Sequence, residues 1–220
     1  MTRTLLLALL PLFAGCQLLP WSEAPARQAT ERLQGEITTA ADGTLMLRTC
    51  HGDRQVQLVG DHAPGLTEDA MMLSVDDQTP LFGDVRGRLT SRIDGNSQLH
   101  LTDIYRLQSE GPGCKDREFN ELKLRAAGHE PGWNVRITTS GMLLERQGQA
   151  PVAIPYLEEQ LPGDQTSFSS EANSQRLDLW VAPQRCIDTA TGAVSHLTAE
   201  LRLDDQILRG CAYYGGARSN

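Results

Sequence analysis

The chain has 220 residues, enough for one large domain or two small ones. Hydrophobic residues make up 40% and aromatics only 5%, which excludes wholesale disorder and calls for cores built from Leu, Val, Ile and Ala. The formal net charge of -8 argues against nucleic-acid partners and against docking on anionic lipid through a basic patch, although it would suit a basic protein partner.

Residues 1–15 read as a secretory leader. Arg3 gives a positive start, and an uncharged apolar run of 11 residues follows from Leu5 to Gly15. A bilayer core needs about 20 helical residues, so this run has the length of a signal h-region rather than a membrane span. Ala14 and Gly15 are small and stand directly before Cys16. Phe13-Ala14-Gly15-Cys16 resembles the lipobox of bacterial lipoproteins. That resemblance implies a diacylglyceryl thioether on Cys16, cleavage before it and acylation of the new amine. Several acyl chains make a durable anchor, at about 0.8 kcal/mol per buried methylene. Gln17 rather than Asp follows the lipidated cysteine, which in enteric-type lipoproteins implies an outer-membrane location; here the body is expected to face the periplasm. Residues 16–33 read as a tether interrupted by Pro20 and Pro25, with a short helix possible over 25–33 from Ala, Arg, Gln and Glu.

Residues 34–110 read as the first folded unit. Strands are predicted over 35–40 and 44–50 about the Asp42-Gly43 turn, and over 55–58. Leu66, Ala70 and Leu73 recur at helical spacing within 65–75. Two longer strands follow over 80–92 and 98–108, with a phase change near Asp103. Three strands, a short helix and two strands form the element order of an OB-type barrel. The basic and aromatic platform that nucleic-acid binding needs is lacking.

Residues 111–117, Gly-Pro-Gly-Cys-Lys-Asp-Arg, read as a turn-rich linker. The second unit is placed over 118–214, with 215–220 as a disordered tail. Eight strands are predicted, over 121–127, 133–140, 142–147, 152–156, 166–172, 176–182, 196–203 and 207–213. The fold class is therefore mainly β: two small antiparallel barrel-like domains, the first OB-like and the second an eight-stranded barrel or sandwich. Glu158-Glu159 reads as an exposed turn or helix end.

Besides Cys16 there are Cys50, Cys114, Cys186 and Cys211, which allow three pairings. The organisation into two units favours Cys50–Cys114 and Cys186–Cys211, each closing a loop within one unit in an oxidising compartment. No CxxC pair occurs. Cys50-His51 with His62 is the best start for a metal site, but no second compact ligand pair follows, and neither a metal nor another cofactor is expected.

Three motifs stand in the second unit: Gly128-His129-Glu130-Pro131-Gly132-Trp133, Cys186-Ile187-Asp188-Thr189-Ala190-Thr191-Gly192 and Leu208-Arg209-Gly210-Cys211. In this order they resemble the G-x-E-P-x-W, C-x-D-x-x-[ST]-G and L-x-G-C signatures of an uncharacterised family of bacterial envelope proteins and lipoproteins. The resemblance covers about residues 119–214. Members often carry Asn at the place of His129 and a larger residue at that of Gly132. The family implies the Cys186–Cys211 pairing and supplies no activity. Trp133 reads chiefly as core at a strand start, with Glu130 capping backbone or bridging Arg136; the alternative makes Glu130 and Trp133 a ligand mouth.

No G-x-S-x-G elbow occurs, and His129 beside Glu130 has no indicated nucleophile, so an enzyme is not expected. The expected function is that of a structural or partner-binding envelope lipoprotein. The alternatives are a binder of a small apolar ligand in the second barrel and an inhibitor of a basic cell-wall hydrolase such as lysozyme.

Overall fold

The computed structural model describes residues 30–60, 65–74, 79–91, 97–172 and 175–218. Cys16, most of the tether, His62 and the turn at 94–96 lie outside them.

The first unit is a closed five-stranded barrel. Its strands are β1 (Thr30–Thr39), β2 (Leu45–Thr49), β3 (Gln55–Val59), β4 (Leu81–Ser91) and β5 (Ser97–Gln108), with helix α1 (Leu66–Leu73) between β3 and β4. β1 pairs with both β2 and β4, β2 pairs with β3, and β3 runs parallel to β5, which returns to β4. The expected OB-like order is therefore present. Inward residues alternate along the strands, and Ile37, Leu47, Val56, Val85, Leu99 and Leu101 are almost fully buried. α1 lays Leu66, Ala70 and Leu73 on this core, as its spacing predicts, and exposes Met71 and Met72. The phase change near Asp103 has a local cause. Against β4, strand β5 carries two extra residues, at Thr102 and Tyr105, where the register shifts. Beyond the second shift four consecutive residues, Tyr105 to Gln108, are all buried, Leu107 in the barrel core and Arg106 against the second unit.

β1 begins at Thr30, so the tether does not extend to residue 33, and residues 30–33 are strand rather than helix. Their helix propensity is overridden by pairing of Thr30 to Leu33 with Arg88 to Val85 of β4. The 111–117 segment is more ordered than a linker. It holds a single 3-10 turn, Gly113–Lys115, anchored through Cys114 to Cys50.

The second unit is built on a nine-stranded, curled half-barrel sheet. Its members are β6 (Leu122–His129), β7 (Gly132–Thr138), β8 (Met142–Arg146), β9 (Val152–Ile154), β10 (Leu157–Leu161), β11 (Gln165–Ala172) and β12 (Gln175–Ala182), then β15 (Leu197–Leu203) and β16 (Gln206–Tyr214). The order is β10-β11-β12-β15-β16-β6-β7-β8-β9. The expected eight strands become nine because Leu157–Leu161, read as a turn or helix end, is an edge strand. Leu124, Val135, Ile137, Phe168, Leu179 and Leu201, each 0% exposed, belong to one core cluster.

Between β12 and β15 the chain leaves this sheet. β13 (Cys186–Ile187) and β14 (Val194–Ser195) form a small hairpin that adds to β5 of the first barrel. Val194 is buried in the first core, so the second unit supplies part of it. The tail is also corrected. The N–H groups of Gly215, Gly216 and Ala217 donate to the carbonyls of Lys123, Phe119 and Leu122, which docks residues 215–217.

A buried ion pair within the first barrel also reaches the second unit. Arg32 of β1 donates through Nε and Nη2 to both oxygens of Asp84, each at 2.7 Å, and through Nη2 to the Tyr214 carbonyl at 2.7 Å. Asp84 is 0% exposed, and this bidentate pairing offsets the cost of burying it.

Candidate functional site

The three motifs, separated by up to about eighty residues, meet at the junction of the two sheets. β6 ends at His129 and turns through a cis Glu130–Pro131 bond into β7. β16 pairs with β6 so that Cys211 faces Ala127. The pairing is close enough to demand glycine. A Cβ on Gly210 would stand 1.9 Å from the Ala127 carbonyl oxygen, and one on Gly128 would stand 2.3 Å from that of Arg209. Gly128 also makes room for the Trp133 indole, whose Nε1 would lie 2.5 Å from its Cβ.

The Cys186–Cys211 disulfide then fastens the hairpin to β16. Both expected pairings, Cys50–Cys114 and Cys186–Cys211, are present. The loop between β13 and β14 is organised by Asp188. Its Oδ1 accepts from the Ala190 and Thr191 N–H groups and from the Thr191 hydroxyl, at 2.9–3.0 Å. Its Oδ2 lies 2.8 Å from His129 Nε2. Burial opposes ionisation of Asp188, but the bonds from Thr191 and Ala190 outweigh it and hold its carboxyl below the ordinary value. The C-x-D-x-x-T-G and G-H-E-P motifs thus meet through one carboxylate.

Trp133 is 4% exposed and belongs to the core of the second sheet. Glu130 is exposed on the turn. The two do not together frame a mouth, and Arg136 pairs with Glu118 and Glu145 instead of Glu130. Cys50 is oxidised and His51 is exposed beside it. Among the described residues no group of three or more His, Cys, Asp or Glu is placed to hold a metal. Among them, too, no helix is long and apolar enough to cross a membrane.

The motif junction borders a pocket of about 230 Å³. His129, Asp188, Thr191 and Cys211 line it from the second unit, and Arg106, Gln108 and Glu110 from the first. Arg106 is the residue that sequence reasoning missed. Next to the inward Leu107, Arg106 faces out of the first barrel, and the second unit covers it there through Ser195 and Tyr213. The guanidinium stands between two rings, 4.0 Å from the centroid of Tyr213 and 4.6 Å from that of Phe82. Arg106 is 2% exposed, and its Nε and Nη2 are enclosed without a hydrogen-bond partner. Its cross-strand neighbour Asp84 is already taken by Arg32 and by Gln34. Burial pulls the Arg106 guanidinium below its ordinary value, with Tyr213, Asp84 and Asp116 opposing through space. Two ring faces return about 2 kcal/mol each at best, whereas desolvating an unpaired cation costs several. A buried, under-satisfied cation therefore sits beside a pocket rimmed by motif residues.

No protein family, curated protein or solved structure matches the chain.

Proposed function

We propose that this chain is an exported, lipid-anchored envelope protein that acts by binding and not by catalysis, placed at the outer membrane and facing the periplasm. The carrying observation is the cysteine inventory. Of five cysteines, four are consumed by Cys50–Cys114 and Cys186–Cys211, and the fifth is Cys16, at the end of the leader. Paired disulfides in the body suit an oxidising compartment, and a thiol left at the cleavage point suits acylation. The resemblance to the envelope family is consistent with the same placement, since its three motifs serve one joint.

The non-catalytic part rests on how the polar groups are used. The Asp188 oxygens are committed to their own loop and to His129. Among the described residues no hydroxyl is hydrogen-bonded to His129, so the pair lacks an activated nucleophile. Binding at the junction or by an external face is the reading favoured here, and the second unit also carries a pocket of about 550 Å³ bordered by Leu122, Met142, Leu143 and Ile154.

The test is fractionation of the full chain and of Cys16→Ser, followed by crosslinking in intact envelopes. Membrane retention of the native chain, loss of retention and of processing in the variant, and one stoichiometric crosslinked partner are expected. Unchanged retention of Cys16→Ser would overturn the anchoring.

A further inference from the structure

Arg106 invites comparison with Arg32. Arg32 stacks on the Tyr105 ring, 3.9 Å from its centroid, and satisfies its Nε and Nη2 with a carboxylate. Arg106 stacks between Phe82 and Tyr213, and the same two nitrogens have no partner. Nε and Nη2 form the fork edge of guanidinium that matches a carboxylate, and because both are closed off from solvent, an anion in the pocket meets them once the Arg106 side chain turns toward it. Of these two ring-stacked arginines, Arg32 holds a carboxylate on that edge and Arg106 holds none. A second cation, Arg125, lines the same pocket, its Nε donating to the Asn134 side chain at 3.0 Å.

We propose that the junction pocket binds a carboxylate group, with Arg106 as its principal cation and Arg125 beside it. The lining selects charge as well as shape. Glu110 and Asp188 line the pocket with Arg106 and Arg125, so a dianion such as phosphate meets about twice the repulsion that a carboxylate does. At about 230 Å³ the pocket takes a small acid or the end of a chain and nothing larger. The carboxylate comes either from a free small acid or from the C-terminus of a peptide. This site stands apart from anchoring at Cys16, so Cys16→Ser retains the binding.

The experiment titrates the nitrogen-15-labelled full chain, in detergent, with acetate, N-acetyl-dialanine, the amide of that dipeptide and inorganic phosphate. The side-chain Nε–H signal of Arg106 is followed. A saturable shift with Kd of about 1 mM or below is expected from at least one carboxylate, with the dipeptide amide weaker by about tenfold or more. Tighter binding of the dipeptide assigns a peptide terminus; equal binding assigns the free acid. Arg106→Met is expected to abolish binding while leaving the melting temperature unchanged or raised, because it removes a buried unpaired charge. Arg125→Gln, at a half-buried position, is expected to weaken binding by about tenfold and serves as the second variant. The proposal is overturned if no carboxylate gives a saturable shift up to about 100 mM, if Arg106→Met binds as the native chain does, or if phosphate binds more tightly than either carboxylate.

Discussion

His196 lies between the rings of Tyr105 and Tyr214, 4.6 and 5.2 Å from their centroids, and its Nδ1 donates to the Tyr105 carbonyl at 3.0 Å. Its Nε2 is enclosed without a partner. Burial, reinforced by nearby Arg32, lowers its pKa to about 4 against the hydrogen bond it donates to Tyr105. The unfolded chain therefore binds a proton near pH 6.5 that the folded chain refuses until about pH 4. Stability contributed by the neutral ring is complete above pH 6.5 and drains away as the pH falls toward 4. The loss amounts to up to about 3 kcal/mol. Urea unfolding at a series of pH values checks this: His196→Phe is expected to lose most of the slope between pH 6.5 and 4. An unchanged slope would assign the effect to carboxylates.

At the scale of elements, the joint between β6 and β16 is set by absent side chains. Gly210→Ala drives a methyl group into the Ala127 carbonyl, so the two strands must part or shift. A cost above about 2 kcal/mol in denaturant unfolding is expected, together with loss of amide protection along both strands. Removing the Cys186–Cys211 bond by paired serine substitution should cost about 3 kcal/mol from loop-closure entropy, and amide exchange should rise first in β13 and β14. Local signals made much of this fold readable in advance. The Asp42-Gly43 turn, the alternation of β3 and β15 and the spacing of α1 are short-range features, and both disulfides followed from the division into two units. Three elements lacked such a signal. β13 and β14 have two residues each, too few to show any period. β10 carries Glu158 and Glu159, poor strand formers that hold their place by pairing with β11. Arg106 faces out of the first barrel and is buried because β14 and β16 of the second unit cover it, a long-range contact with no local signal. The motif residues were visible as a set, but their meeting point was not, because Arg106 comes from the other unit.

Across the whole molecule, two units distinct in sequence share one energetic account. Val194 completes the core of the first barrel, Arg32, held by Asp84, donates to the carbonyl of Tyr214, and Arg185 pairs with the buried Asp69 of α1. Opening the joint uncovers Val194 and separates Arg185 from the buried Asp69, which couples the two halves. A single unfolding transition is therefore expected, with Trp133 fluorescence, which reports the second sheet, coinciding with far-ultraviolet circular dichroism. Two separated transitions would show that the joint is weak.

The curled sheet leaves its two outermost strands, β9 and β10, unpaired on one side. Along β10, Leu157 and Leu161 lie on the same side as Glu159, and Leu157 is strongly exposed. Glu159 thus interrupts what would be a greasy ribbon, guarding a backbone that otherwise invites cross-molecule strand addition. Glu159→Val should expose that ribbon, and sedimentation velocity should then reveal concentration-dependent self-association absent from the parent protein.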